Sequence, residues 1–68
     1  MKKKFENIFK YHAPKEGQPI KYEALRAKAK ELAYLIDECC PDSNEKSLSI
    51  SNLQMTIMLA NSAIAINE

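Results

Sequence analysis

Few side chains in this 68-residue sequence could do chemistry. His12 is the only histidine, and it lies in a segment, YHAPKEGQPI, that holds two of the three prolines and the only glycine. Asp37 and Glu38 are adjacent, so on a helix they point in different directions and cannot share a proton-transfer task. Cys39 and Cys40 are also adjacent, a spacing that suits neither a zinc site nor a C-x-x-C redox pair. With no nucleophile beside a base, no carboxylate pair and no metal-ligand cluster, the residues predict a protein that is not an enzyme and needs no metal or cofactor. What remains is suited to anions. Arg26 and Lys30 lie four apart and share a helical face, while Lys28 points elsewhere. A guanidinium can fork onto two phosphate oxygens, and Tyr11 offers a flat ring that stacks on any base and a hydroxyl that can donate. Tyr11, His12, Arg26, Lys28 and Lys30 are therefore the candidate ligand-binding residues. Tyr22 and Tyr34 read as packing residues within a helix.

Three segments must position these groups. Residues 1–10 set Phe5, Ile8 and Phe9 at i, i+3 and i+4, which predicts a short amphipathic helix too small to stand alone. Residues 11–19 form the ligand loop, and Pro19 suits the first turn of the helix that follows. From 20 to 40 the apolar positions Tyr22, Leu25, Ala29, Leu32, Ile36 and Cys39 form a heptad-like seam, with Cys39 read as a small buried apolar side chain. Pro41 stops that helix, and Asp42 followed by Glu45 reads as a capping box opening a helix over 43–66. Its own seam, Ile50, Leu53, Ile57, Ala60 and Ile64, predicts an antiparallel hairpin with the preceding helix.

The last helix carries a second apolar set, Leu48, Met55, Leu59, Ala63 and Ile66, on a face largely different from the first. One partner helix cannot cover both faces, and a patch of this size is more than soluble monomers usually expose. Ala60, Ser62, Ala63 and Ala65 would let helices approach closely there. The fold class is accordingly all-α: one helical domain over 1–68, a short N-terminal helix plus a two-helix hairpin, assembling into a homo-oligomeric bundle. Self-association also supplies the support that a chain this short needs and that adjacent cysteines do not provide.

The net charge of +1 conceals a division. Residues 1–30 hold nine basic and three acidic side chains, and residues 31–68 hold one and six. A basic surface at one end attracts phosphate, whether of nucleic acid, nucleotide or lipid. Residues 47–67 carry no charge, but nine of these 21 are Ser, Asn, Gln or Thr, so no membrane span is expected. Lys2, Lys3 and Lys4 lead into Phe5-Glu6-Asn7 and not into an apolar run, which predicts no signal peptide and, with so few cysteines, a reducing cytoplasm.

The segments FKYHAPKEGQPIKYEALRAKAKELA, CCPDSNEKSLS and ANSAIAIN resemble the phage anti-CBASS protein two family, and the likeness runs from Phe9 to Asn67. The resemblance implies a compact homohexamer whose pockets between subunits hold cyclic dinucleotides, such as cGAMP, and cyclic trinucleotides, such as cyclic tri-AMP, without cleaving them. Such a sponge in the host cytoplasm starves the immune effector of its messenger. The family's loop tyrosine matches Tyr11, the base-stacking residue, and its cationic helix residue falls at or beside Arg26, the phosphate contact. Members that hold trinucleotides use an arginine near the C-terminus, where this sequence carries Asn61 and Ser62. Lys28, Lys30, hydroxyls or amides would then supply those contacts.

Two other readings of the basic half stand beside this one. A small DNA- or RNA-binding module would use it as an electrostatic footprint, although Glu23 and Glu31 interrupt the cations and no recognition-helix pattern stands out. A structural helical adaptor would use only the apolar faces.

Overall fold

The computed structural model describes residues 2–68. The chain is all-α, with α1 (Lys2–Ile8), α2 (Gln18–Cys39) and α3 (Asn44–Asn67) and, among the described residues, no strand. Asp37, on the last turns of α2, meets Lys46 at the start of α3, and Gln18 at the start of α2 meets Ile64 near the end of α3. The two long helices therefore run antiparallel.

Each helix boundary has a local cause. Gly17 caps α2 in the left-handed region at φ 86°, a conformation that costs a residue with a Cβ, and Pro19 fits the first turn, where its missing N–H is not needed. The irregular segment thus spans residues 9–17, and α2 opens two residues earlier than the expected Ile20. At the other end Cys40 turns extended, as a residue before proline must, while its N–H still bonds the Ile36 carbonyl at 3.0 Å.

The start of α3 corrects the sequence reading. The cap is Ser43 and not Asp42: the Ser43 hydroxyl accepts from the Lys46 N–H at 3.1 Å and donates to the Pro41 carbonyl at 3.0 Å. With Lys46 in the third helical position, no reciprocal capping box forms. The Lys46 side chain instead turns back across the hairpin. Its ammonium lies 3.0 Å from carboxylate oxygens of both Asp37 and Asp42 and donates to the Asp37 carbonyl at 3.1 Å. The hydrogen bonds to Asp37 and then Asp42 hold the Lys46 ammonium above its ordinary range, against a smaller opposing effect of desolvation.

The seam also differs from a strict heptad. On α2 and its C-cap the half-buried positions are Tyr22, Leu25, Ala29, Ala33, Ile36 and Cys40, and on α3 they include Lys46, Ser49, Leu53, Ile57, Ala60 and Ile64. Both sets advance at the pitch of a straight α-helix, so Ala33 and Cys40 take the places expected of Leu32 and Cys39. Leu32 is 45 % exposed, and Cys39 is an exposed thiol instead of a buried one.

The hairpin is a thin plate of 44 × 28 × 12 Å with a radius of gyration of 15.2 Å, against about 11 Å for a compact domain of this length. Among the described residues no apolar side chain is fully buried. Leu48, Met55 and Leu59 of the second apolar set lie open, as do Ile20, Tyr34 and Leu35 on α2.

Ser43→Ala is expected to lower the unfolding free energy by about 1 kcal/mol through loss of the α3 cap. Urea denaturation followed by helical circular dichroism measures it, and an unshifted midpoint would show that the cap does not hold the turn.

Candidate functional site

The loop between α1 and α2 is held by side chains that bridge to backbone. His12 Nε2 donates to the Asn7 carbonyl at 2.7 Å, and Asn7 Nδ2 donates to the Ile66 carbonyl at 3.3 Å. This pair anchors α1 and the loop to the last turns of α3. The ring of Tyr11, next in the chain to this anchor, is 82 % exposed and open to stacking.

Gln18 is the one buried residue among those described, at 3 % exposure. Its Oε1 accepts from the Lys15 N–H at 2.9 Å, and its Nε2 donates to the Ile64 carbonyl and to Glu68 Oε1, both at 3.4 Å. The Gln18 N–H closes the turn onto the Lys15 carbonyl at 3.1 Å. One amide therefore joins the loop, α2 and α3. Sequence reasoning passed over it, although its position between the only glycine and a helix-opening proline marks a tightly specified turn.

Glu68 draws two lysines to this end of the molecule. Lys21 Nζ lies 2.5 Å from Glu68 Oε2, and Lys15 Nζ bonds the Glu68 backbone oxygen. Lys21 holds the Glu68 carboxyl below its ordinary range; desolvation opposes this, and Gln18 reinforces it.

The five candidate residues do not share one opening. Tyr11 and His12 line a cavity of about 440 Å³ together with Lys10, Lys15, Ile66 and Glu68. Arg26 lines a cleft of about 370 Å³ with Tyr22, Asn61, Ser62 and Ala65. Arg26 and Lys30 also flank an apolar groove of about 510 Å³ floored by Ala29, Ala33, Leu53 and Ile57. Lys28 lines none of these; it is 85 % exposed at the side chain and pairs with Glu31 at 3.2 Å. Arg26 is paired too, with Glu23 at 2.7 Å. The positions Asn61 and Ser62 thus stand beside Arg26, and Asn61 Oδ1 is buried with no hydrogen-bond partner among the described residues.

These volumes fall within the range of small-molecule sites. The loop cavity offers an aromatic face beside cations, and the cleft offers a guanidinium beside an amide and a hydroxyl. Neither holds a nucleophile positioned by a base, and among the described residues no three His, Cys, Asp or Glu side chains gather as metal ligands. No described helix is long and apolar enough to cross a membrane.

A family model described as Acb2/Tad1, hairpin domain, matches residues 1–65. Comparison with the curated proteins and with the solved structures finds no match.

Gln18→Leu keeps the side-chain volume but leaves the Lys15 N–H without its acceptor. A loss of about 1–3 kcal/mol in stability is expected, together with faster amide exchange at Lys15. Unchanged exchange there would show that the loop is held by other groups.

Proposed function

Because this chain belongs to the Acb2/Tad1 hairpin-domain family, that of anti-CBASS protein two, we propose that it sequesters cyclic di- and trinucleotide messengers, uncleaved, in the cytoplasm of a phage-infected host. The observation that carries this reading is the family match, which runs through the loop, both long helices and the turn between them. Ligands of the classes of cGAMP and cyclic tri-AMP supply what the two halves of the site recognise: bases for Tyr11 and phosphates for Arg26 and Lys30.

In the same reading the working form is a homo-oligomer, a hexamer in keeping with the family resemblance. The single chain exposes 5839 Å², about 1500 Å² more than a compact monomer of its mass. A standard interface removes about 800 Å² from each partner, so the surplus matches contact with more than one neighbour. Tyr11 and Arg26 line separate openings of one protomer. In this reading subunits pack through the exposed Leu48, Met55 and Leu59, and a neighbouring copy completes the openings beside Tyr11 and Arg26. A site formed in advance between rigid helices binds with little ordering cost, and retention without reaction is what such a site does when it holds no general base.

Calorimetry with cyclic dinucleotides and trinucleotides tests this directly, followed by recovery of intact ligand after heat denaturation. Tyr11→Ala and Arg26→Ala should each weaken binding at least about tenfold, in line with the loss of one stacked base or one charge-assisted contact, while the oligomer persists. Absence of binding to every cyclic nucleotide tried would remove the proposal.

Leu59→Glu places a charge on the uncovered face of α3 and should convert the oligomer to smaller species by light scattering. Should the wild-type protein itself be a well-folded monomer at micromolar concentration, the inter-subunit pockets fall with it.

A further inference from the structure

The cavity beside Tyr11 already contains an anion, and that anion is the protein's own. Glu68, the C-cap of α3, sets its carboxylate 2.5 Å from Lys21 Nζ and 3.4 Å from Gln18 Nε2, while Lys15 Nζ takes its backbone oxygen. Gln18 is buried at 3 % exposure, so its donor is fixed in direction before anything binds. The start of α2 adds to the attraction. Gly17 caps it without a side chain, which leaves the positive end of a 22-residue helix beside this carboxylate.

We propose that Lys15, Gln18 and Lys21 form an anion cradle that takes a phosphate group of the bound nucleotide, and that Glu68 occupies it as an internal competitor until displaced. This deepens the preceding reading and rests on it for the identity of the ligand. The exchange is feasible because the internal pair is weak. The Lys21 and Glu68 side chains are 54 % and 40 % exposed, and ion pairs open to water contribute little. A phosphate brings more acceptor oxygens than the carboxylate and can meet both ammonium groups and the amide together. Lys10 and Lys15 line the Tyr11 cavity together with Glu68, so drawing Glu68 out of the cradle raises the positive charge along that wall. Neither Lys21 nor Lys15 belongs to the set that the residue pattern singled out, because they are held in place by a residue 47 and 53 positions further along.

Calorimetry of the full chain with inorganic pyrophosphate and with a cyclic dinucleotide, for the wild type and Glu68→Gln, tests the proposal. The variant keeps a neutral side chain of the same shape and should bind both probes about three- to fivefold more tightly, the scale set by removing one exposed ion pair. Lys15→Ala with Lys21→Ala should abolish that gain, with circular dichroism confirming an unchanged helix content. If Glu68→Gln binds pyrophosphate no more tightly than wild type does, the cradle is refuted, even where the cyclic dinucleotide binds well and the sponge reading stands. If the variant gains affinity for pyrophosphate while neither protein binds the cyclic dinucleotide, the cradle stands and its assignment to a nucleotide messenger fails.

Discussion

A helix in a hairpin can hide only the stripe that faces its partner, and this chain has apolar side chains on more than one stripe. That constraint governs the rest of the structure. The seam between α2 and α3 is lined by Ala29, Ala33, Ile36, Leu53, Ile57 and Ala60, yet in a plate this thin none of them is fully covered. Leu48, Met55 and Leu59 remain in water, each more than half exposed. Burial of apolar area is the main favourable term in folding, so the isolated hairpin has used only part of what its sequence offers. The remainder lies on outer faces, where a second copy of the chain can use it.

Within one protomer the apolar seam fixes the two long helices but not the loop that precedes them. That task falls to polar atoms. The Gln18 amide accepts from the loop and donates to α3, His12 ties the loop to Asn7, and Asn7 reaches the Ile66 carbonyl. Such bonds are directional, and those of Gln18, which is buried, are costly to leave unmade, so a few of them set the loop against the last turns of α3. The exposed ring of Tyr11 takes its position from this network. At the opposite end of the hairpin Lys46 does a similar task by joining Asp37 and Asp42 around Pro41.

The repeating features of the fold were legible in the sequence. Apolar spacing predicts both long helices, Pro41 marks the turn, and the segment holding Gly17 and both flanking prolines marks the loop. Register was less legible. Leu32 and Cys39 fit a heptad, but a straight helix advances by 3.6 residues per turn, which moves Ala33 and Cys40 onto the seam. The cap shifted by one residue for an equally local reason: Asp42 and Ser43 are both good caps, and Lys46 draws the Asp42 carboxylate into an ion pair while the Ser43 hydroxyl takes the Lys46 N–H. For the site, residue type and helical spacing point to Tyr11 and Arg26, and placement divides them between two openings of the protomer. Gln18, Lys15, Lys21 and Glu68 escaped notice because their partners are far away in sequence, and local patterning carries no record of such pairs.

The charges follow the same logic as the apolar surface, since three of the cations on α2 are paired within the protomer, but weakly. Arg26 leans on Glu23, Lys28 on Glu31 and Lys21 on Glu68, all at exposed positions. These acids interrupt the basic half, so α2 does not present the continuous stripe of cations from which nucleic-acid backbones gain affinity. A long polyanion would have to displace several acids at once without gaining an enclosed site in return. A small anion carrying both phosphate and base has a different balance. It displaces one or two exposed pairs, each worth about 0–1 kcal/mol, and in the proposed assembly meets either the open ring of Tyr11 beside its lysines or the Arg26 guanidinium beside Asn61 and Ser62. In the proposed reading the paired charges favour a compact ligand over an extended one, without any residue dedicated to rejecting the latter.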